Sequence, residues 1–171
     1  PKDKKTRPLK DMVKESIFNI LTHSNKINFQ IKNSEVLDLF SGSGSFGIEC
    51  ISRGAKKATF VEKDIVATNI LKENLINLKS TNNSVIFNNK IENTLLNDIN
   101  EEFNIFFLDP PFKDYEYLKI LKLIKKKKLF ESSHIVIIHR ERETEDDFGD
   151  ILKIIETKQY GRSKILYGIF N

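Results

Sequence analysis

Hydrophobic residues along this chain follow two alternating periods, and that alternation predicts an α/β fold. Short apolar runs at residues 36–40, 58–62, 85–87, 105–108 and 135–138 are typical of buried strands. Apolar positions that recur every three or four residues predict helices over 9–21, 67–78 and 115–126, and one more that begins near Ile48 and ends at Gly54. Two final runs at 153–160 and 164–170 flank Gly161 and predict a hairpin.

Strands that alternate with helices favour a doubly wound, mainly parallel sheet. The seven predicted strands would form one such sheet, closed by the C-terminal antiparallel hairpin. We expect a single domain over residues 1–171, in which 1–22 form a basic segment and first helix and 35–171 form the core. Residues 141–150 are mostly acidic and are predicted to be a solvated loop. Ligands of such sheets bind at the carboxyl ends of the strands.

Composition excludes several classes of protein. An apolar fraction of 39% among 171 residues is enough for one hydrophobic core, so a disordered chain is not expected. A single cysteine excludes an intramolecular disulfide, and the three histidines share no ligand spacing, so we expect no metal site. No apolar run approaches the ~18 residues that span a bilayer, which predicts a cytoplasmic protein without membrane contact. We also expect a monomer. The chain begins at Pro1 rather than Met, so we expect a fragment of a longer protein.

The net charge of +4 modestly favours an anionic partner such as nucleic acid. Four basic side chains lead into the first predicted helix and are candidate RNA contacts: Lys4, Lys5, Arg7 and Lys10. A run of four lysines at 125–128 is an alternative, although charge at the C-terminus of a helix also explains it.

Backbone-special residues are concentrated at two points, and the first follows the first strand. Three of only seven glycines are Gly42, Gly44 and Gly47, at a predicted strand-to-helix turn where the backbone can approach a ligand closely. Glu62 ends the next strand and can accept both hydroxyls of a ribose. This pattern predicts a site for an adenosine-containing cofactor, either a nicotinamide dinucleotide or S-adenosylmethionine. Its other candidate residues are Asp38, Phe40, Ser41 and Ser43.

The second point is the segment Asp109, Pro110, Pro111 and Phe112, which follows the fourth strand. Two prolines remove two backbone donors, so the Asp109 carboxylate and the Pro110 carbonyl make the turn rich in acceptors. An aromatic ring beside them suits a flat base that carries an exocyclic amine. We therefore predict that this segment is the catalytic site of an amine methyltransferase, with S-adenosylmethionine as cofactor.

These two motifs together resemble those of methyltransferases that act on amino groups in nucleic acid, and more narrowly the RsmD-type family of bacterial ribosomal RNA methyltransferases. Arg7-Pro8 with Phe18, the turn at 40–44, and Tyr160-Gly161 are similar to other signatures of that family. Leu9, Phe46 and Asn89 depart from it. The resemblance covers nearly the whole chain.

The resemblance implies a Rossmann-like class I methyltransferase fold dependent on S-adenosylmethionine. It also implies methylation of the exocyclic N2 of a guanine, guanine 966, in 16S ribosomal RNA, free or in the assembled small subunit. It extends the cofactor site to Lys63, Asn89 and Lys90.

Several alternatives stay open from the sequence. The target amine could be adenine N6 or another RNA or DNA amine, because the Asp-Pro-Pro-Phe segment accommodates both bases. A nicotinamide-dependent oxidoreductase would use the same glycine turn but has no use for that segment. A non-catalytic RNA-binding domain of the same fold would be expected to have lost Asp109 or Gly42, and both are present.

Overall fold

A computed structural model describes residues 11–27, 29–111 and 113–171. Its helices are α1 (Asp11–His23), α2 (Ser45–Ser52), α3 (Ile65–Asn77), α4 (Ile91–Asn97) and α5 (Tyr117–Lys127), with a short 3₁₀ turn at Thr81–Asn83. Its strands are β1 (Glu35–Leu39), β2 (Lys57–Val61), β3 (Ser84–Phe87), β4 (Phe103–Leu108), β5 (Phe130–Glu141), β6 (Leu152–Tyr160) and β7 (Ser163–Phe170). Each of the seven predicted strands is confirmed within a few residues.

All seven strands form one sheet in the order β3-β2-β1-β4-β5-β7-β6. The first five in this order pair in parallel, and β7 pairs antiparallel with both β5 and β6. The predicted parallel sheet with a C-terminal hairpin is therefore confirmed. The chain proceeds outward from β1 in one direction and from β4 in the other, so β1 and β4 flank the topological switch point.

One buried apolar cluster lies on each face of the sheet. Helices α1, α2 and α3 cover one face, while α4 and α5 cover the other. On the first face the rings of Phe18, Phe46 and Phe107 stack in series, with centroids 5.3 Å and 4.2 Å apart. Phe46 departs from the family pattern, and here it joins α1 and α2 to β4 by packing.

Two elements differ from the prediction. Helix α4 has only seven residues and buries only Ile91, Thr94 and Leu95, which is too short a pattern for periodicity to detect. Strand β5 extends to both sides of its apolar run because Phe130 pairs with Phe103 and Glu141 pairs with Ser163.

The acidic segment after β5 is a loop with mostly exposed residues, as predicted, but two of its side chains are buried. Its Asp146 side chain is only 2% exposed, and Phe148 is buried against α5. The Asp146 side chain turns inward because it pairs with the buried Arg140 of β5. A charged partner inside the protein therefore decides the position of this side chain in a segment whose composition is typical of solvent.

The lysine run at the end of α5 lies at the amino edge of the sheet. Lys127 Nζ donates to the carbonyls of Leu95 and Ile99 at the end of α4, and Lys125 Nζ donates to the Asp150 carbonyl. These bonds occupy two of the four lysines within the fold. They favour a structural role of these lysines at the C-terminus of α5 over a role in RNA binding.

Candidate active site

The register of the sheet places the two candidate sites side by side. Leu39 of β1 pairs with Val61 of β2 and Leu108 of β4, Val61 pairs with Phe87 of β3, and Leu108 pairs with Ile138 of β5. The positions one step further along these strands therefore lie in a row along the carboxyl edge: Asn88, Glu62, Phe40, Asp109 and His139. The glycine turn and the Asp-Pro-Pro segment meet at the switch point, where open α/β sheets bind ligands.

The glycine turn between β1 and α2 has three residues in the left-handed region of the backbone, which favours glycine. Phe40 and Gly42 have φ of 57° and 54°, and Gly44 has φ of 82°. A Cβ on Gly44 would lie 2.2 Å from Leu71 Cδ1, whereas one on Gly42 would meet no protein atom within 4 Å. Gly42 therefore faces open space at the edge of the turn, as a backbone that approaches a ligand must.

Glu62 connects the glycine turn to the start of α3. Its Oε1 accepts from the Gly42 amide and its Oε2 accepts from the Asp64 amide, each at 2.9 Å. An ionised carboxylate has about four acceptor positions, so two remain after these bonds. This geometry fits the predicted role of Glu62 as an acceptor for ribose hydroxyls.

Asp38 lies beneath the turn rather than on its surface. It is 1% exposed, and its Oδ2 accepts from the Gly47 amide in the first turn of α2 at 3.0 Å. Burial is the largest influence on this carboxyl and raises its pKa well above the usual range; the nearby charges of Asp109 and Glu62 act in the same direction. Asp38 therefore supports the turn through α2.

Two asparagines after β3 make hydrogen bonds beside the turn that follows β2. Asn88 Nδ2 donates to the carbonyls of Glu62 and Lys63, at 3.0 Å and 3.2 Å. Asn89, the predicted cofactor residue, accepts from the Lys90 amide with its own Oδ1. Lys63 and Lys90 are exposed beside them. Asn88 is thus a supporting residue that the sequence analysis missed, although an amide directly after a strand is a usable signal.

The Asp-Pro-Pro turn holds one carboxylate beside a histidine. Asp109 Oδ1 lies 2.9 Å from Nδ1 of His139, and the two side chains are 30% and 22% exposed. Ser163 Oγ at the start of β7 lies 2.9 Å from Nε2 of the same ring. No sequence pattern predicts this contact of His139, because its partners are 30 and 24 residues away along the chain.

A buried ion pair holds the other end of the turn. Arg140, 1% exposed, donates from Nη1 to the Pro111 carbonyl at 3.2 Å and from Nε to Asp146 Oδ1 at 2.9 Å. The Tyr117 hydroxyl donates to the same oxygen at 2.6 Å, and Thr144 donates to Asp146 Oδ2. The Asp-Pro-Pro turn is therefore attached to β5 at two successive residues, His139 and Arg140.

Some predicted site residues lie outside the described part of the chain: Phe112, Lys4, Lys5, Arg7 and Lys10. Across the described ranges, no group of three or more His, Cys, Asp or Glu side chains could hold a metal ion. None of the described helices is long and apolar enough to cross a membrane.

A mainly parallel sheet whose first turn is glycine-rich and whose fourth strand ends in Asp-Pro-Pro is the architecture of a class I methyltransferase. The chain belongs to the family described as "Conserved hypothetical protein 95", whose profile matches residues 1–169. This membership confirms the predicted class, an S-adenosylmethionine-dependent methyltransferase of Rossmann-like fold and RsmD type.

Named relatives agree with this assignment. The chain is 36% identical to "Putative rRNA methyltransferase YlbH" of Bacillus subtilis, over 86% of this chain and 79% of the relative. It is 37% identical to "Ribosomal RNA small subunit methyltransferase D" of Buchnera aphidicola, over 81% of this chain and 67% of that protein. The solved structure of "Putative methyltransferase yhhF from Escherichia coli" superposes with a TM-score of 0.80 at 27% identity, over 95% and 87% of the two chains.

Proposed function

We propose that this protein transfers a methyl group from S-adenosylmethionine to the exocyclic N2 of a guanine in 16S ribosomal RNA, by resemblance guanine 966. Relatives named as small-subunit ribosomal RNA methyltransferases support the RNA class. The observation that carries the proposal is the position of the Asp109 turn directly beside the glycine turn, at paired strand ends. A cofactor and a base bound at these two turns would lie in contact.

The glycine turn and Glu62 are the proposed cofactor site. Glu62 would accept the two ribose hydroxyls, and the open side of Gly42 would let the backbone approach the cofactor. The proposed site includes Ser41, Ser43, Lys63, Asn89 and Lys90 around them, with Asp38 beneath. When bound, S-adenosylmethionine supplies a methyl group attached to a sulfonium sulfur, which leaves as a neutral thioether when the methyl group is transferred.

The Asp109 turn is the proposed base site. Asp109 Oδ2 and the Pro110 carbonyl would each accept one N–H of the base amine, which directs the nitrogen lone pair out of the base plane. As the new N–C bond forms, the S–C bond breaks with its electron pair on sulfur. The proton then leaves the methylated amine for Asp109 or water. Alignment of the two reactants supplies most of the rate of such a step.

Replacing Glu62 with alanine should weaken cofactor binding. Loss of a charged acceptor for two hydroxyls is expected to cost about 1–3 kcal/mol, which is about 5- to 150-fold in Kd. Calorimetry with S-adenosylhomocysteine measures this effect. Glu73→Ala is the control, because Glu73 is an exposed acid of α3 and the variant has the same change in charge. Unchanged affinity in Glu62→Ala, or binding of NAD by the wild type, would contradict the cofactor assignment.

The substrate is tested by mapping modified nucleotides in ribosomal RNA from cells that lack the gene. We expect the loss of one N2-methylguanine from the small-subunit RNA, and its return with the wild-type gene but not with Asp109→Ala. Purified protein is then supplied with naked RNA or with small-subunit particles from the deletion strain, to decide which is the substrate. Loss of an N6-methyladenine instead would assign the site to adenine, and an unchanged pattern would refute the proposal.

A further inference from the structure

His139 joins the candidate catalytic carboxylate to the C-terminal hairpin. Its Nδ1 lies 2.9 Å from Asp109 Oδ1, and its Nε2 lies 2.9 Å from Ser163 Oγ. The two contacts connect residues that are 30 and 24 positions apart in sequence. Both ring nitrogens therefore have a partner, which leaves the imidazole little freedom to rotate.

The sheet geometry explains why these side chains meet. Leu108 pairs with Ile138, so Asp109 and His139 are neighbours at the end of a parallel pair. His139 pairs with Ile165 of β7, and Ser163 lies two residues away on the same face of that strand. Diagonal neighbours on one face are within reach of a ring.

The chemistry of the three groups decides the direction of the hydrogen bonds. An ionised Asp109 only accepts, so Nδ1 carries the ring proton and donates to Oδ1. Nε2 of the neutral ring then accepts from the Ser163 hydroxyl, and this second bond supports the tautomer that Asp109 sets.

We propose that His139 is a positioning residue for Asp109, held in its orientation by Ser163. His139 occupies Oδ1 and so directs Oδ2 toward the amine of the bound base. The inference rests on the proposed function of Asp109, and it assigns a role in catalysis to the C-terminal hairpin. Because Nδ1 already donates to the carboxylate, His139 orients Asp109 and does not take the proton from the amine.

Single-turnover methylation of the substrate that the wild type modifies tests this role. His139→Ala should lower the rate on the order of 10- to 100-fold, because a small displacement of the acceptor disturbs the alignment of the reactants. Cofactor affinity and KM for RNA should stay within about threefold of the wild-type values, because a defect in alignment lowers the rate without weakening binding. His139→Asn keeps a donor near the position of Nδ1 and should recover most of the rate. Ser163→Ala should lower the rate only a few-fold, because the Nδ1 contact remains.

His134 supplies a matched control on the same strand. Both nitrogens of its ring have partners as well, but these are backbone groups away from the Asp109 turn, the Glu131 carbonyl and the Phe170 amide. His134→Ala should lower the melting temperature without lowering the rate constant measured below the transition. Equal rate losses in the two alanine variants would mean that His139 is only a structural residue, and so would a failure of His139→Asn to recover activity.

Nitrogen NMR of the imidazole tests the geometry separately from the reaction. The wild type should show His139 as the Nδ1–H tautomer, and Ser163→Ala should increase the share of the other tautomer. An Nε2–H ring in the wild type would overturn the positioning role whatever the substrate is. If the wild type shows the expected tautomer but methylates no ribosomal RNA, the contact between His139 and Asp109 is supported and only the proposed function is refuted.

Discussion

Replacing Asp109 with alanine is expected to remove most methyl transfer while leaving S-adenosylmethionine affinity within a few-fold. Asp109 lies on the β4 side of the switch point, whereas the proposed cofactor contacts come from the turns after β1 and β2. Without its carboxylate the base amine has one acceptor instead of two, and the nitrogen lone pair is no longer aligned. We expect a loss on the order of 100- to 1,000-fold in single-turnover rate, the scale for removing one preorganised group.

Two companion variants make the Asp109 result specific. Asp114→Ala changes the same charge in the same loop, where Asp114 Oδ1 accepts from the Glu116 amide, and should remain active. Asp109→Asn keeps one acceptor oxygen and should fall between wild type and alanine. Full turnover by Asp109→Ala with intact cofactor binding would mean that the residue only ends a strand. The amine-methyltransferase proposal would then lose its main support.

Replacing Asp146 with asparagine is expected to destabilise the fold by about 3–5 kcal/mol, the usual cost of removing one partner from a buried ion pair. Arg140 would keep its charge in an environment where it is 1% exposed. The Asp-Pro-Pro turn should loosen as well, because Arg140 also donates to the Pro111 carbonyl. Urea denaturation at neutral pH measures the effect. Glu145→Gln is the control in the same loop, an exposed neighbour that should change stability by less than about 0.5 kcal/mol.

The stability difference between wild type and Asp146→Asn should depend on pH. Burial by itself would raise the pKa of Asp146, but hydrogen bonds from Tyr117 and Thr144 and the charges of Arg140 and Lys164 together lower it below the usual value. An acid with a lowered pKa adds stability that is complete above its unfolded-state pKa of about 3.9 and is lost as pH falls through the folded-state value. The stability difference between the two proteins should therefore begin to shrink below about pH 4 and disappear once Asp146 is protonated in the folded protein as well. If the difference in free energy of unfolding between the two proteins does not change as the pH is lowered, the charge of Asp146 is not what stabilises the fold.

The sequence by itself determined the elements and the two turns, because both depend on local chemistry. Period-two and period-3.6 apolar patterns reflect which face of a strand or helix is buried, so they predict the seven strands and the longer helices without tertiary information. The glycine turn and the Asp-Pro-Pro segment are likewise local. Gly44 has a positive φ and no room for a Cβ, and two prolines change the backbone of the residues that they occupy. The mainly parallel sheet followed from the alternation of strands and helices, whereas the strand order came from the structure.

Tertiary structure alone decided which side chains surround the Asp109 turn. His139 and Arg140 are adjacent on a strand, yet one faces Asp109 and the other faces Asp146, because successive side chains of a strand point to opposite faces. The register between β4, β5 and β7 brings Ser163 and Asp109 to the same ring across 24 and 30 residues of sequence. Asp146 illustrates the same point. It belongs to an acidic segment whose composition predicts exposure to solvent, and its side chain is buried because it pairs with the buried Arg140. Local patterns carry no information about such pairings, because these contacts form only after the sheet has set its register.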